Sequence, residues 1–445
     1  MDGLQRRARL ARSRLYFVTG AVDEELLDAA LRGGVDVLQL RDKDLSDEEL
    51  VAAARRFRRA CDRHGALFVL NDRPELAERC DADGVHVGQD DAPVAEARRI
   101  VGEARLVGLS THAREQMLDA GTADYVGVGT IFETPTKPGN DAAGLELVRV
   151  ARHAARVPWF AIGGIDRSNV GEVVAAGAAG VAVVRAIRDA ADPEEAARAL
   201  RAELPTSDAV VTGGDVLLPQ LDWLRGTDGR AAPHVHAEHV DLFHVLGGTM
   251  ELRAGDGTVR VPAGSTVAAP QLLVHGFRNP VDDQLTYLNL HAPGGWARDP
   301  SGDTFGIERA DPRARPLVRA PGDGDRLTKP HRLALARIDL PELALLEYIA
   351  EAGYDGASAH VHLRHADCFH VLEGALRFVV GGREVRAEVG TSVIVPPGVV
   401  HEFTSASPRV RFLNVHAPSF GFVEYLRALD AGEAIDTARY DVYEL

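Results

Sequence analysis

Apolar residues fall along the chain in two textures. From Leu15 to Glu203 short apolar runs alternate with charged, Ala-rich stretches whose apolar positions recur at helical spacing. The runs are Leu15–Thr19, Val37–Leu40, Leu67–Leu70, Gly84–Val87, Leu106–Leu109, Tyr125–Val128, Trp159–Ile162 and Gly180–Val184. Between them, stretches such as Asp47–His64 and Ser168–Ala176 carry Ser or Asp at N-cap positions. Strands that are apolar throughout are buried on both faces, which predicts a parallel sheet covered by helices. About eight such units in this length predict a (β/α)8 TIM barrel. A doubly wound sheet is the alternative, but no GxGxxG follows the first run.

Leu204 to Asp215 has the Pro, Gly, Ser and Thr content of a linker, and beyond it the pattern changes to Gly- and Pro-punctuated strands with few helices. This second region repeats itself. His234, His236, Asp241, Gly264 and His275 recur as His360, His362, Asp367, Gly390 and His401, each 126 residues on. The copies end alike, Asn289-Leu-His291-Ala-Pro293 being echoed by Asn414-Val-His416-Ala-Pro418. Residues from Gly294 to Pro330, rich in Asp, Pro, Gly and Arg, read as the connection between copies. The expected organisation is a barrel over 1–205 and two all-β domains over 206–300 and 330–445.

At 445 residues the chain is too long for one ordinary core. Sixty-six acidic against 50 basic residues give a net charge of −16, which argues against a broad nucleic-acid footprint. No apolar run is long enough to span a bilayer. Cys61, Cys80 and Cys368 are scattered and odd in number, as expected of a reducing, cytoplasmic compartment. The Arg-rich opening, Met1 to Arg14, lacks the apolar stretch of a signal and the serines of a transit peptide, and is expected to be a cytosolic tail. Lysine occurs only at Lys43, Lys137 and Lys329 in a chain that otherwise writes positive charge as Arg. Such lysines are expected to be needed as lysines.

A barrel of this class places its chemistry where strands end. Those ends read Gln39-Leu-Arg41-Asp-Lys43, Asn71-Asp72-Arg73, His86-Val-Gly88-Gln89-Asp90-Asp91, Ser110-Thr111-His112, Thr134-Pro-Thr136-Lys137-Pro-Gly139, Ile162-Gly163-Gly164-Ile165 and Val184-Arg185. Arg41, Lys43, Lys137 and Arg185 bring four cations to one mouth, and the Gly163-Gly164 turn offers backbone N–H groups to a phosphate. Asp72 and Asp91, from neighbouring strands, suit a Mg2+ that bridges pyrophosphate oxygens. His86 and His112 read as hydrogen-bonded structural histidines.

In order and spacing, QLRDK, ND, HVGQDD, GLSTH, TPTKPG and IGGI make residues 15–203 resemble the thiamine phosphate synthase family. The resemblance implies a Mg2+-dependent transferase that joins 4-amino-2-methyl-5-(diphosphooxymethyl)pyrimidine to a thiazole phosphate, giving thiamine phosphate and pyrophosphate. It implies that Gln39, Arg41, Lys43, Asn71, Ser110 and Lys137 contact the pyrimidine pyrophosphate and that Asp72 and Asp91 bind Mg2+. It assigns Thr134, Thr136, Gly164, Val184 and Arg185 to the thiazole phosphate. The family often has a small hydroxyl residue where Arg185 stands. The related thiazole tautomerase, which needs no pyrophosphate clamp, is the alternative; Lys43, Lys137 and the aspartate pair favour the synthase.

In each copy of the second region, His-x-His on a strand points two imidazoles to one face. An aspartate follows across a turn and a third histidine arrives from a later strand. His234, His236, Asp241 and His275, and likewise His360, His362, Asp367 and His401, form ligand sets suited to Zn, Fe, Mn or Ni. The pattern resembles the cupin family, which implies a double cupin of two small β-barrels. Glu is usual in that family where Asp241 and Asp367 stand. Copy two keeps Pro396-Pro-Gly398-Val-Val-His401, whereas copy one has Pro270-Gln-Leu-Leu-Val-His275 without the glycine, so copy two is expected to hold metal more firmly. His244 and His370 are read as outside the clusters, and His239 and His365 receive no place. The readings open for the double cupin are a metal-dependent oxygenase or hydrolase, a ligand sensor, and an oligomerisation scaffold, which would make the protein a homo-oligomer.

Overall fold

The apolar runs of the N-terminal region form the strands β1 (Leu15–Thr19), β2 (Val37–Leu40), β3 (Leu67–Asn71), β4 (Gly84–Val87), β5 (Leu106–Thr111), β6 (Tyr125–Val128), β7 (Trp159–Ile162) and β8 (Val181–Val183). They pair in parallel in chain order, and β8 closes on β1. This is the predicted (β/α)8 barrel, and the closure excludes the doubly wound alternative. The computed structural model describes residues 1–445 apart from 135–141, 281–283, 299 and 301–302. It divides into two units, Met1–Ser207 and Asp208–Leu445.

Alternation along the strands sorts the barrel's residues. Tyr16, Val18, Val37, Leu67, Val69, Leu106, Tyr125 and Phe160 pack together inside, while Phe17, Leu38, Leu40, Phe68 and Leu70 face the helices. The helix Asp47–His64 shows how local sequence fixes the outer layer. Ser46 and Glu49 form a reciprocal capping box at its start, Gly65 ends it with a left-handed φ of +68°, and Phe57 packs on Phe68. The Arg-rich opening is no tail. It forms the helix Gly3–Arg12, whose Leu10 joins the interior cluster while Arg6 and Arg7 pair with Asp83 and Asp124, which precede β4 and β6. This helix therefore plugs the barrel at the end opposite the strand-end motifs.

In the second unit each copy of the repeat folds into two antiparallel sheets. The copies are interlocked. The strand Val210–Thr212, which lies in the expected linker, pairs with Ser392–Val395 of copy two. Leu317–Arg319, in the stretch read as a connection, pairs with Thr266–Ala269 of copy one. The partner strands are equivalent under the 126-residue offset, so the segment leading into each copy completes the sheet of the other. The connection also supplies Thr304–Phe305 to copy one and Asp325–Lys329 to copy two. A shared core contains Trp223, Leu242 and Leu290 with Leu345, Cys368, Ile394 and Val415. Beside it the buried Arg337 bonds Glu347 and the carbonyls of Gly264 and Ala320. Breaking such a buried ion pair by removing one partner costs about 3–5 kcal/mol. Both copies of the repeat thus lie within one compact unit, Asp208–Leu445.

Candidate functional site

The strand ends of the barrel enclose two adjoining cavities, of about 520 and 760 Å³, that share Val18, Arg41, Ser110, His112, Gly129, Thr130 and Ile162. The larger one brings together Gln39, Arg41, Lys43, Asn71, Asp72, Asp91 and Ser110. Gln39 Nε2 donates to Asn71 Oδ1 at 2.8 Å, and Lys43 Nζ lies 3.2 Å from Asp72 Oδ2. Asp72 takes a left-handed φ of +62°, fixed by its N–H bond to the His86 carbonyl at 2.9 Å. Burial, and then a hydrogen bond shared with Asp91, raise the Asp72 pKa above the usual carboxylate range. Two carboxylates held against each other are a donor set that a divalent cation relieves, so these residues fit Mg2+.

The smaller cavity is lined by Thr134, Gly163, Gly164, Val184 and Arg185 together with Arg188. Gly163 and Gly164 have φ of +110° and +63°, and a Cβ on Gly164 would lie 2.8 Å from the Glu133 carbonyl oxygen, so the turn needs glycine. Thr136 and Lys137 lie outside the described residues. The shared wall has an internal support. Ser110 Oγ is 2.9 Å from His86 Nε2, His86 Nδ1 is 3.2 Å from the Tyr125 hydroxyl, and Tyr125 bonds the Tyr16 hydroxyl at 2.9 Å. Gly108 makes room for this chain, since a Cβ there would meet the Tyr125 ring at 2.2 Å. His112 is held by the Gly129 carbonyl.

In the second unit His234, His236, Asp241 and His275 converge, as do His360, His362, Asp367 and His401, with ligand atoms in each set within 4.8 Å of one another. The arrangement fixes the imidazoles as metal ligands require. Nδ1 of His234, His236 and His275 faces the carbonyls of Ala232, Asp303 and Leu273 at 2.7, 3.0 and 3.0 Å. In copy two the Nδ1 atoms of His360, His362 and His401 face Ser358, Asp441 and Val399 in the same way. With Nδ1–H donated to a carbonyl, each Nε2 lone pair turns inward. His234 Nε2 and His236 Nε2 then sit 3.0 Å apart, and the buried His362 Nε2 has no hydrogen-bond partner among the described residues. Burial first, and neighbouring imidazoles next, hold His236 and His360 down at about 3, in the neutral form that binds metal. Asp241 and Asp367 reach the clusters despite their length, each placing Oδ2 3.1 Å from the third histidine. The donor sets fit a transition metal.

The missing glycine leaves the turn unchanged. Leu272, at the place of Gly398, adopts φ of +61° against +81°, and its N–H bonds the His236 carbonyl at 2.7 Å as Gly398 bonds His362 at 2.6 Å. The expected looseness of copy one therefore has no basis in this turn; leucine takes the strained conformation instead.

Residues 15–187 match the family model for thiamine monophosphate synthase, and 226–291 and 347–416 match that of the cupin domain. The thiamine-phosphate synthase of Saccharopolyspora erythraea is 51% identical over 219 residues, covering 46% of this chain and 98% of that protein. The chain belongs to the thiamine-phosphate synthase family. A synthase of Nostoc sp. is 50% identical over 180 residues, covering 40% of this chain and 51% of that protein, so this chain spans about half the length of that relative. A solved structure of a salicylate 1,2-dioxygenase from Pseudaminobacter salicylatoxidans matches at 15% identity, covering 46% of this chain and 73% of that one, with a TM-score of 0.37. No helix among the described residues is long and apolar enough to cross a membrane.

Beyond the synthase barrel, several cupin residues escape sequence reasoning. Asp303 accepts from the N–H groups of Ala237 and Glu238 and pairs with His239, and Asp441 does the same for Leu363, Arg364 and His365. This gives His239 and His365 their place against His236 and His362, with ring centroids 4.0 and 3.9 Å apart and the planes tilted by 33° in each pair. The two aspartates are 138 residues apart rather than 126, so the repeat conceals them. His244 and His370 lie outside the clusters, bonded to Thr266 and Ser392 at 2.9 Å.

Proposed function

We propose that the barrel condenses the pyrimidine pyrophosphate with the thiazole phosphate to give thiamine phosphate and pyrophosphate. The observation that carries the reading is the pair of cavities joined at Arg41 and Ser110. One carries Lys43 and the aspartate pair, the other Arg185 and the Gly163-Gly164 turn. In this reading Gln39 and Asn71 orient the pyrimidine side. Arg41, Lys43 and Lys137 meet charge that builds on the departing pyrophosphate as its bond to the methylene carbon breaks. Asp72 and Asp91 would hold a Mg2+ ion, which would supply positive charge to the pyrophosphate. Thr134, Thr136, Gly164, Val184 and Arg185 hold the thiazole phosphate so that the ring nitrogen meets the methylene cation. Ser110, steadied by His86, stands where the two substrates adjoin. No side chain acts as nucleophile.

The tautomerase alternative gives no reason for the Lys43–Asp72 pair. The two readings separate on pyrophosphate release. A synthase releases it only when both substrates are present, whereas a tautomerase changes the thiazole phosphate alone and releases none.

The double cupin, in the same reading, holds one or two transition-metal ions per chain at the two histidine sets. Elemental analysis of protein made without chelator tests this. Protein that stays metal-free after incubation with Zn2+, Mn2+, Ni2+ and anaerobic Fe2+ would leave the sensor or scaffold reading.

A further inference from the structure

Four side chains linked by hydrogen bonds cross the barrel interior to the mouth: Tyr16 of β1, Tyr125 of β6, His86 of β4 and Ser110 of β5. Both phenols are buried, in a cluster with Val18, Val37, Leu67 and Phe160. Phe160 meets the two rings edge-on, with centroids 5.2 and 6.0 Å away. Gly108 leaves the space in which the imidazole and the Tyr125 ring meet, since a Cβ there would lie 2.5 Å from His86 Nδ1. Neither phenol lines either of the two cavities, whereas Ser110 lines both.

These links have a direction. Burial raises the pKa of both phenols, so each keeps its hydrogen at neutral pH. A neutral imidazole donates through one nitrogen and accepts through the other. If Ser110 donated to His86, then His86 would donate to Tyr125 and Tyr125 to Tyr16. The Tyr16 hydrogen would then have no acceptor among the described residues, because Tyr125 is the one partner of that hydroxyl. A buried donor left without an acceptor loses its hydration and gains nothing for it. In the opposite direction every interior hydrogen is used. Tyr16 donates to Tyr125, Tyr125 to His86 Nδ1, and His86 Nε2–H to Ser110, whose own hydrogen is left over at the cavity.

We propose that Tyr16 and Tyr125 are positioning residues that hold His86 in its Nε2–H form and thereby make the Ser110 hydroxyl a hydrogen-bond donor to an anionic oxygen of the pyrophosphate. That acceptor rests on the synthase reading; the direction of the chain does not. A hydroxyl that accepts from His86 while it donates outward is polarised by the bond it receives. Donated to a charged oxygen, its hydrogen bond is of the stronger kind. In the reverse direction Ser110 would present only lone pairs to the cavity, and an anion would be repelled. Two side chains that line neither cavity thus set the polarity of one that lines both.

The test labels the histidines of the full chain with 15N and reads the tautomer of His86 from long-range 1H–15N couplings, its signals being assigned by their loss in His86→Asn. The result expected is Nε2–H in the unaltered chain and a mixture of tautomers in Tyr125→Phe. Tyr125→Phe should also lower turnover at saturating substrate about tenfold, the worth of one hydrogen bond to a charged oxygen. Ser110→Ala should do the same, and the two changes together should cost no more than either alone. If Tyr125→Phe does not fold, the double variant Tyr16→Phe/Tyr125→Phe, which leaves no hydroxyl unmet, takes its place. Nδ1–H or an imidazolium in the unaltered chain, an unchanged tautomer in the folded variant, or losses at Tyr125 and Ser110 that multiply would overturn the proposal. An unaltered chain that shows Nε2–H yet forms no thiamine phosphate would overturn the synthase reading and the pyrophosphate acceptor, and leave the direction of the chain standing.

Discussion

Leu272 and Gly398 occupy the same turn in the two cupin copies, and both adopt a left-handed backbone, with φ of +61° and +81°. One copy bears a strain that the other avoids. A Cβ in this conformation costs roughly 1–2 kcal/mol. Gly398→Ala should therefore lower the stability of the second unit by about that amount, read as a shifted urea midpoint at unchanged slope. An unchanged midpoint would mean that the turn relaxes without strain.

Lys43 and Asp91 serve the leaving group in the proposed reaction, with Asp72 between them. Lys43→Ala and Asp91→Asn should each lower turnover at saturating substrate at least tenfold, or about 1.4 kcal/mol of barrel transition-state stabilisation. A chelator should reproduce the Asp91 effect in the unaltered chain. Wild-type rates in either variant would place the pyrophosphate elsewhere.

Much of the barrel was legible because each strand is a short apolar run followed at once by polar residues, as in Val37–Leu40 before Arg41 and Lys43. Alternation inside the barrel was not, since both faces of Leu15–Thr19 are apolar and only the fold sorts Tyr16 from Phe17. The histidine sets were legible through a fixed offset. Asp303 and Asp441 were not, because the helix Phe422–Ala431 lengthens the second tail and breaks that offset. Strand exchange escaped for a related reason: Val210–Thr212 and Leu317–Arg319 are too short to stand out from Gly- and Pro-rich surroundings and become strands only by pairing with a distant partner.

That exchange makes a separable prediction. Deleting Val210–Thr212 removes the partner of Ser392–Val395 in copy two and leaves Thr266–Ala269 of copy one paired with Leu317–Arg319. Hydrogen exchange should speed up at least tenfold over 392–395 and remain unchanged over 266–269. Equal exchange in both strands would show that Val210–Thr212 adds nothing to copy two.

Buried histidines outside the metal sets should make the second unit sensitive to acid. Burial, and then Arg337, hold His244 at about 3, while burial, and then Arg225, hold His370 at about 4. The unfolded chain takes up these protons below about pH 6.5 and the folded chain resists. The stability concerned is thus fully present above about pH 6.5 and is lost as pH falls toward 4. Urea unfolding at pH 7 and pH 4.5 should show the decline, and His244→Gln should reduce its slope. A variant with the full wild-type slope would assign the acid sensitivity to other groups.

The barrel unit ends at Ser207, and the described residues that line the two cavities belong to it. A chain ending at Ser207 should fold and keep the rate per active site of the full chain. An insoluble or inactive truncation would show that the barrel depends on the double cupin.

The most direct measurement supplies the purified full chain with both phosphorylated precursors and Mg2+ and follows the two products together. The account predicts thiamine phosphate and pyrophosphate appearing one for one, with neither formed when a precursor is withheld. A folded barrel that forms no thiamine phosphate above background, or releases pyrophosphate without the thiazole phosphate, would contradict it.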